Sequence, residues 1–144
     1  MKLIYLQKPS NNWYKKLPKS EKHPRSWQTT EELEIQLSDG SFLVIPKDTI
    51  WDGSSIPKWF WWLFKPIDEG ALADLIHDEL WEQKNEQLKR FDYKIYDCRK
   101  FADKERLKWR NSLAPEKPIK NLVTHIFIRL IGGFFYAKQC KIPE

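Results

Sequence analysis

Acidic side chains and one histidine lie at three points of the sequence where their types and spacing could support chemistry. His77 and Asp78 are adjacent, Asp52 precedes them by 25 residues, and Asp103 follows Arg99 by four. An imidazole beside a carboxylate can act as a general base or supply two metal ligands. Asp52 and Asp103 would complete an oxygen-rich site for a divalent cation. If this centre is catalytic, we expect a hydrolase with His77 as base or ligand and Arg99 in support.

The same residues also fit a structural role. A buried Asp often caps a helix or pairs with Arg, so a His-Asp dipeptide alone is not evidence of a site. Ser54 and Ser55 are more typical of helix caps than of a nucleophile, because their surroundings do not match the G-x-S-x-G pattern. His23 and His125 have no companion residues in the sequence that would complete a site.

Several helices are predicted to position these side chains. Apolar residues recur at helical spacing over residues 69–84, 97–112 and 119–131. A short helix is predicted at 58–64, between Pro57 and Pro66. The charged residues 84–92 are predicted to form a connection.

Two stripes of side chains run along the predicted helix 69–84. The apolar stripe consists of Leu72, Leu75, Ile76 and Leu80. The second stripe follows the spacing i, i+3, i+4, i+7 and consists of Asp74, His77, Asp78 and Trp81. The acidic side chains and the histidine should therefore project from one side of the helix.

Alternating residue types predict a hairpin over residues 28–46. Leu33, Ile35 and Leu37 alternate with polar residues, and Asp39-Gly40 predicts a two-residue turn with φ > 0 at both positions. With a strand at 2–7 and a loop at 8–26, this gives an α+β fold: a small antiparallel sheet packed with three to four helices. We expect one domain over 1–144, in which 1–26 is an N-terminal strand and a pinned loop and 27–136 is the core.

Five aromatic residues lie among the six positions from Trp59 to Phe64. Core packing explains such a run most simply, because large aromatic side chains are costly to expose. A surface that binds other proteins through Trp59, Trp61 and Trp62 is the second interpretation, and a membrane-interface patch is the third.

Charge and composition limit the function classes. The net charge of +5 would suit an acidic partner, but Lys and Arg are spread along the chain, so nucleic-acid binding through residues 84–110 is an alternative that the sequence does not favour. Neither a signal peptide nor a transmembrane segment is predicted, which points to a protein made in a cytoplasm. Cys98 and Cys140 lack the spacing of a zinc site and are expected to be free thiols, with a disulfide between them as the alternative.

Three motifs in order resemble a phage and prophage family catalogued as domain of unknown function thirteen fifty-three. The motifs are Asp52–Pro57 (D-x-x-S-I-P), His77–Trp81 (H-D-x-L-W) and Cys98–Asp103 (C-R-x-x-A-D), and the resemblance covers about residues 27–136. Trp51, Trp81 and Cys98 stand where the family usually has Thr, Tyr and Ser. The acidic, histidine and arginine positions all fit.

The resemblance implies a phage origin and a shared polar centre, but not a reaction. It also implies a location in a bacterial host cytoplasm or in the virion. The first hypothesis is an accessory or virion-associated protein, with hydrolysis at the centre formed by Asp52, His77, Asp78 and Asp103. The second is a non-catalytic structural subunit of a phage particle, in which the same residues form a buried hydrogen-bonded network and the Trp-rich segment contacts other phage proteins. A divalent metal is a hypothesis for the first case only.

Overall fold

A computed structural model describes residues 4–5, 9–18, 26–51 and 67–139, with side chains except at 4, 5, 84 and 131–139. The chain divides into two compact units, Met1–Gly53 and Ser54–Glu144. The strands lie in the first unit and the helices in the second, which confirms the α+β class. Whether the chain is one domain stays a prediction. The predicted helix 58–64, with Trp59, Trp61 and Trp62, falls outside the described residues, as do Asp52, His23 and Cys140.

The described part of the first unit contains two three-stranded antiparallel sheets. The strands are β1 (Ile4–Tyr5), β2 (Tyr14–Lys16), β3 (Trp27–Thr29), β4 (Leu33–Gln36), β5 (Phe42–Ile45) and β6 (Ile50–Trp51). One sheet has the order β1-β4-β5, which is the predicted N-terminal strand beside the predicted hairpin. The other has the order β2-β3-β6 and was not predicted.

The β4–β5 hairpin has the predicted pairing but a different turn. Leu33 lies opposite Ile45, and both side chains are buried, as the alternation of residue types requires. Of the two predicted turn residues, Gly40 adopts a positive φ, of 90°, and Asp39 does not, so the predicted turn with two such residues is wrong. Asp39 instead accepts hydrogen bonds from the backbone N–H and the hydroxyl of Ser41. This is the three-residue loop in which a left-handed glycine follows an ordinary turn.

The second sheet corrects the prediction that 8–26 is a loop, and it adds strand β6 beyond the predicted hairpin 28–46. Trp27 pairs with Trp51 across β3 and β6, and Trp13 stacks on Trp51 with ring centroids 5.6 Å apart. The hydroxyl of Thr29 accepts a hydrogen bond from the backbone N–H of Thr49 at 2.9 Å. Aromatic cross-strand contacts of this kind stabilise very short strands.

The described residues of the second unit form four helices: α1 (Ala71–Glu82), α2 (Lys84–Arg90), α3 (Ile95–Leu113) and α4 (Pro118–Gln139). The prediction that 84–92 is a connection is wrong, because 84–90 are mostly good helix formers and Leu88 buries against Cys98. Gly132-Gly133 does not end α4, which continues to Gln139.

Helix α3 packs against both α1 and α4, and it therefore carries the residues that the site is built on. Cys98 is buried, and its S–H donates to the backbone carbonyl of Gln87 at 3.3 Å. Among the described residues, no helix is both long and apolar enough to cross a membrane.

Candidate functional site

His77 of α1 and Asp103 of α3 form a buried pair. Nε2 of His77 lies 2.7 Å from Oδ1 of Asp103, and the relative exposure is 2% for the histidine and 0% for the aspartate. His77 lies on the α1 face that turns toward α3, as its predicted stripe requires. The structure thus brings together two of the predicted site residues, and it does so inside the helical unit.

The second oxygen of Asp103 is also occupied. Nη1 of Arg129, from α4, donates to Oδ2 at 2.9 Å, and Nε of Arg99, one turn earlier in α3, lies 3.6 Å from the same oxygen. The guanidinium of Arg99 also donates to the backbone carbonyls of Ile128 and Arg129. We call these four side chains the Asp103 cluster: His77, Arg99, Asp103 and Arg129. The cluster links all three long helices through one carboxylate.

The other ring nitrogen of His77 has a different environment. Nδ1 is buried and has no hydrogen-bond partner among the described residues. Oδ1 of Asp78 lies 3.8 Å away, which is too far for a hydrogen bond but close enough for a charge interaction. The ring of Trp81 lies against the imidazole, with centroids 4.9 Å apart. Asp78 itself is partly exposed.

These contacts set the charges of the cluster. Burial by itself lowers the pKa of His77, but the hydrogen bond to Asp103 and the charges of Asp103 and Asp78 outweigh burial and raise this pKa above 6.5. Burial raises the pKa of Asp103, but His77 and Arg129 outweigh it and lower this pKa below 3.8. Burial raises the pKa of Asp78, and its charge interaction with His77 opposes this only in part. The pair is therefore favoured as an imidazolium and a carboxylate.

The other predicted site residues are placed as follows. Arg99 lies beside Asp103 as its i, i+4 spacing predicts, while Asp52 falls outside the described residues. The part of the chain that is described contains no group of three or more His, Cys, Asp or Glu side chains that could hold a metal ion. Both oxygens of Asp103 already contact His77 or arginine, so this carboxylate is poorly suited to bind a cation.

A second buried network lies on the same face of α3 and was not predicted. Arg110 donates to both oxygens of Asp68, at 3.0 and 2.7 Å, and its Nη1 also lies 3.1 Å from Oδ2 of Asp74. Nε of Arg106 donates to Oδ1 of Asp74 at 2.8 Å. Both guanidinium groups are fully buried. Asp74 had been predicted only as a member of the His77 stripe.

Helix α4 completes this network with three polar side chains. Nζ of Lys120 donates to Oδ2 of Asp68 at 2.6 Å, Oδ1 of Asn121 accepts from Arg110 at 2.7 Å, and the hydroxyl of Thr124 accepts from Arg106 at 3.0 Å. We call the set the Arg110 cluster: Asp68, Asp74, Arg106, Arg110, Lys120, Asn121 and Thr124. A signal was present in the sequence, because Arg99, Asp103, Arg106 and Arg110 follow the spacing i, i+4, i+7, i+11 and so share one helix face.

The sequence matches the model of one protein family. A family model described as "Protein of unknown function (DUF1353)" matches residues 27–111, which is more than half of the chain. The chain belongs to the DUF1353 family. This confirms the family that the three motifs predicted. No curated protein and no solved structure matches the chain.

The DUF1353 match contains the α1 and α3 residues of both clusters. His77, Asp103 and Arg110 lie inside residues 27–111, whereas Lys120 and Arg129 of α4 lie beyond them. The matched region thus holds the buried aspartates and His77 together with the arginines of α3, and α4 supplies Lys120 and Arg129. The family description names no activity, so the function of DUF1353 proteins has to be argued from the site.

Proposed function

We propose that this protein is a non-catalytic structural subunit of a phage particle or phage assembly, in which the Asp103 cluster fixes the arrangement of three helices. One observation carries the proposal: Asp103 has no exposed surface and is contacted by side chains from α1, α3 and α4. A catalytic carboxylate or imidazole must reach a substrate. Here the imidazole of His77 and the carboxylate of Asp103 are buried and contact each other.

The charge state supports the same proposal. The raised pKa of His77 favours the imidazolium form, which donates to Asp103 but cannot accept a proton as a base. Buried ion pairs contribute less to net stability than to holding one arrangement of helices, because desolvation offsets much of their attraction. A subunit that must present a fixed surface to its neighbours needs such an arrangement. The phage context rests on the motif resemblance of the DUF1353 family.

A second candidate, a hydrolase, is favoured by Nδ1 of His77, which is buried and has no hydrogen-bond partner among the described residues. A buried nitrogen without a partner costs roughly 1–3 kcal/mol, and a catalytic role is one reason for which such a group is kept. In this candidate, Asp103 orients the ring through Nε2, and Nδ1 exchanges a proton with the partly exposed Asp78. Nucleic-acid binding is a weaker proposal, because Arg106 and Arg110 are buried in ion pairs.

His77→Gln separates the two candidates. The glutamine amide has an N–H near the position of Nε2, so it can donate to Asp103, but it cannot transfer a proton as imidazole does. In the phage or prophage that encodes the chain, we expect the protein in purified particles and nearly normal infectivity with His77→Gln. We expect a large loss of infectivity with His77→Ala. His125→Gln is the comparison variant: His125 of α4 interacts with the backbone and the charge of Asp103, whereas the oxygens of the Asp103 carboxylate are bound by His77 and Arg129.

Two results would decide against the structural proposal. One is the absence of the protein from purified particles and from their assembly intermediates. The other is a folded His77→Gln protein that enters particles and yet abolishes infectivity, which would instead support acid–base chemistry at this residue.

A further inference from the structure

Helix α4 turns three polar side chains inward and a row of large apolar side chains outward. Up to Leu130, every exposed residue of α4 is apolar. The large ones, which we call the α4 stripe, are Ile119, Leu122, Ile126 and Leu130, with relative exposures of 72%, 54%, 46% and 80%. By contrast, the buried face holds Lys120, Asn121 and Thr124. This reverses the usual polarity of a surface helix.

The reversal has a cause inside the fold. Lys120, Asn121 and Thr124 point inward because they bind the aspartate and arginines of the Arg110 cluster. The opposite face of α4 is thereby left toward solvent. The stripe residues are spaced by three, four and four positions, so they form one straight row of about 16 Å. Contiguous exposed apolar rows of this kind usually mark an interaction surface.

Basic and aromatic side chains meet near the end of the stripe at Leu130, since Arg129 precedes Leu130 in the chain. The guanidinium of Arg129 on α4 lies over the ring of Tyr96 at 5.4 Å, and Nζ of Lys100 lies over the same ring at 5.6 Å. Tyr96 is 59% exposed. Lys104 and Lys108 continue from Lys100 at steps of four residues, and both are exposed. We call Lys100, Lys104 and Lys108 the lysine row.

We propose that the α4 stripe and the lysine row together form a binding surface for an anionic membrane. An apolar helix face bordered by lysines and a tyrosine is the combination that binds at a lipid interface, where aliphatic side chains enter the headgroup boundary and cations meet lipid phosphates. The net charge of +5 acts in the same direction. The helix lies on the membrane surface and does not cross it.

A second copy of the chain is a poorer occupant. If two α4 helices packed antiparallel about a two-fold axis, the same flank of each would meet, and the two lysine rows would repel each other. The stripe is also purely aliphatic, whereas the residues that dominate protein interfaces are Trp, Tyr and Arg, with Leu under-represented. An anionic lipid surface matches both the apolar row and the charge beside it.

Co-sedimentation with vesicles tests the proposal. We would use the full-length protein with vesicles of phosphatidylcholine alone and with vesicles that contain about one third phosphatidylglycerol, at low and high salt. We expect binding to the anionic vesicles only. High salt should weaken this binding, because ions screen the attraction between the lysines and the lipid phosphates. Size-exclusion chromatography with light scattering would record the oligomeric state of the same samples.

Three variants assign the binding to the proposed surface. Leu122→Glu with Leu130→Glu should weaken binding by more than about tenfold, since two exposed apolar side chains become charged. Lys104→Glu with Lys108→Glu should weaken it by about tenfold or more, since each lysine near the surface contributes several-fold. Phe42→Glu, at a 62% exposed position of β5, is the matched control and should bind normally. All replaced side chains are exposed, so circular dichroism should show unchanged folding.

Several outcomes would overturn the proposal. These are no binding to the anionic vesicles, equal binding to both vesicle types, or a loss of binding in Phe42→Glu as large as in the stripe variant. A dimer that Leu122→Glu with Leu130→Glu converts to monomer would assign the stripe to a second copy of the chain instead.

Discussion

Nε2 of His77 lies 2.7 Å from Oδ1 of Asp103, and both side chains are buried between α1 and α3. The contact joins residues 26 positions apart in the sequence. Because Arg129 occupies the second oxygen, the histidine binds a carboxylate that is already fixed from α4. The pair therefore couples the protonation of one histidine to the packing of three helices.

The stability of the protein should depend on pH through His77. Its pKa is raised in the folded state, so its contribution to the free energy of unfolding is fully present below the unfolded value of about 6.5 and is lost as the pH rises through the folded value. Urea denaturation from pH 5 to pH 9 should show this fall in the wild type and a smaller fall in His77→Gln.

His125 should change the stability of the protein with pH in the opposite direction to His77. Burial lowers its pKa below 6.5, so protonation of His125 opposes folding, and stability should rise with pH up to about 6.5 and not beyond. His125→Gln should therefore remove this rise below pH 6.5 and leave the fall above pH 6.5, which His77 causes, unchanged. A wild-type protein whose stability rises steadily from pH 6 to pH 9 would contradict the assignment of a raised pKa to His77.

Asp74→Ala should be strongly destabilising. The change leaves the fully buried Arg106 without its carboxylate and removes one of the two aspartates that bind Arg110. Breaking a buried ion pair on one side typically costs about 3–5 kcal/mol, because the remaining charge stays uncompensated. The midpoint of urea unfolding measures the loss.

Glu69→Ala is the matched control for this loss. Glu69 pairs with Lys117 at 2.8 Å, but its side chain is 58% exposed. Exposed pairs contribute at most about 1 kcal/mol. If Asp74→Ala and Glu69→Ala lost the same free energy of unfolding, the buried Arg110 cluster would contribute no more to stability than an exposed ion pair.

Gly70→Ala should disturb the same cluster by a steric route. A Cβ atom at this position would lie 2.4 Å from Nη1 and 2.7 Å from Cζ of Arg110. The guanidinium would have to leave its two-pronged contact with Asp68, so we expect a loss of about 2 kcal/mol or more in the free energy of unfolding.

Gly40→Ala provides the comparison, because the two glycines are required for different reasons. A Cβ at Gly40 would meet no atom within 4 Å, but its φ of 90° strains any residue with a side chain. We expect about 1 kcal/mol there. A Gly70→Ala protein as stable as the wild type would show that the close packing of the Arg110 guanidinium against Gly70 is not needed for stability.

Local patterns predicted the parts of the fold that depend on near neighbours. Alternation from Leu33 to Leu37 predicted the β4–β5 pairing, and helical spacing predicted α1 and α3 within two or three residues. The β2-β3-β6 sheet was missed because its strands are two or three residues long and depend on contacts of Trp13 and Trp27 with Trp51. Such contacts have no local periodicity.

Three members of the Asp103 cluster, His77, Arg99 and Asp103, could be named from the sequence, but Arg129 and the arrangement of the cluster could not. The spacing placed His77 on one face of α1, and Arg99 one turn from Asp103, and both placements are confirmed. The contact of Arg110 with Asp68 joins residues 42 positions apart, which no helical pattern can show. The polarity of α4 was missed for a related reason, since periodicity identifies two faces of a helix without identifying which face is buried.

The free energies of unfolding of wild type, His77→Gln and His77→Ala at pH 6 test most directly whether the Asp103 cluster fixes the three helices. We predict a loss of about 3 kcal/mol for His77→Ala, which removes a partner of a buried carboxylate, and less than about 1 kcal/mol for His77→Gln, which keeps an N–H donor. A His77→Ala protein as stable as the wild type, or a His77→Gln protein as destabilised as His77→Ala, would contradict the structural role of the Asp103 cluster.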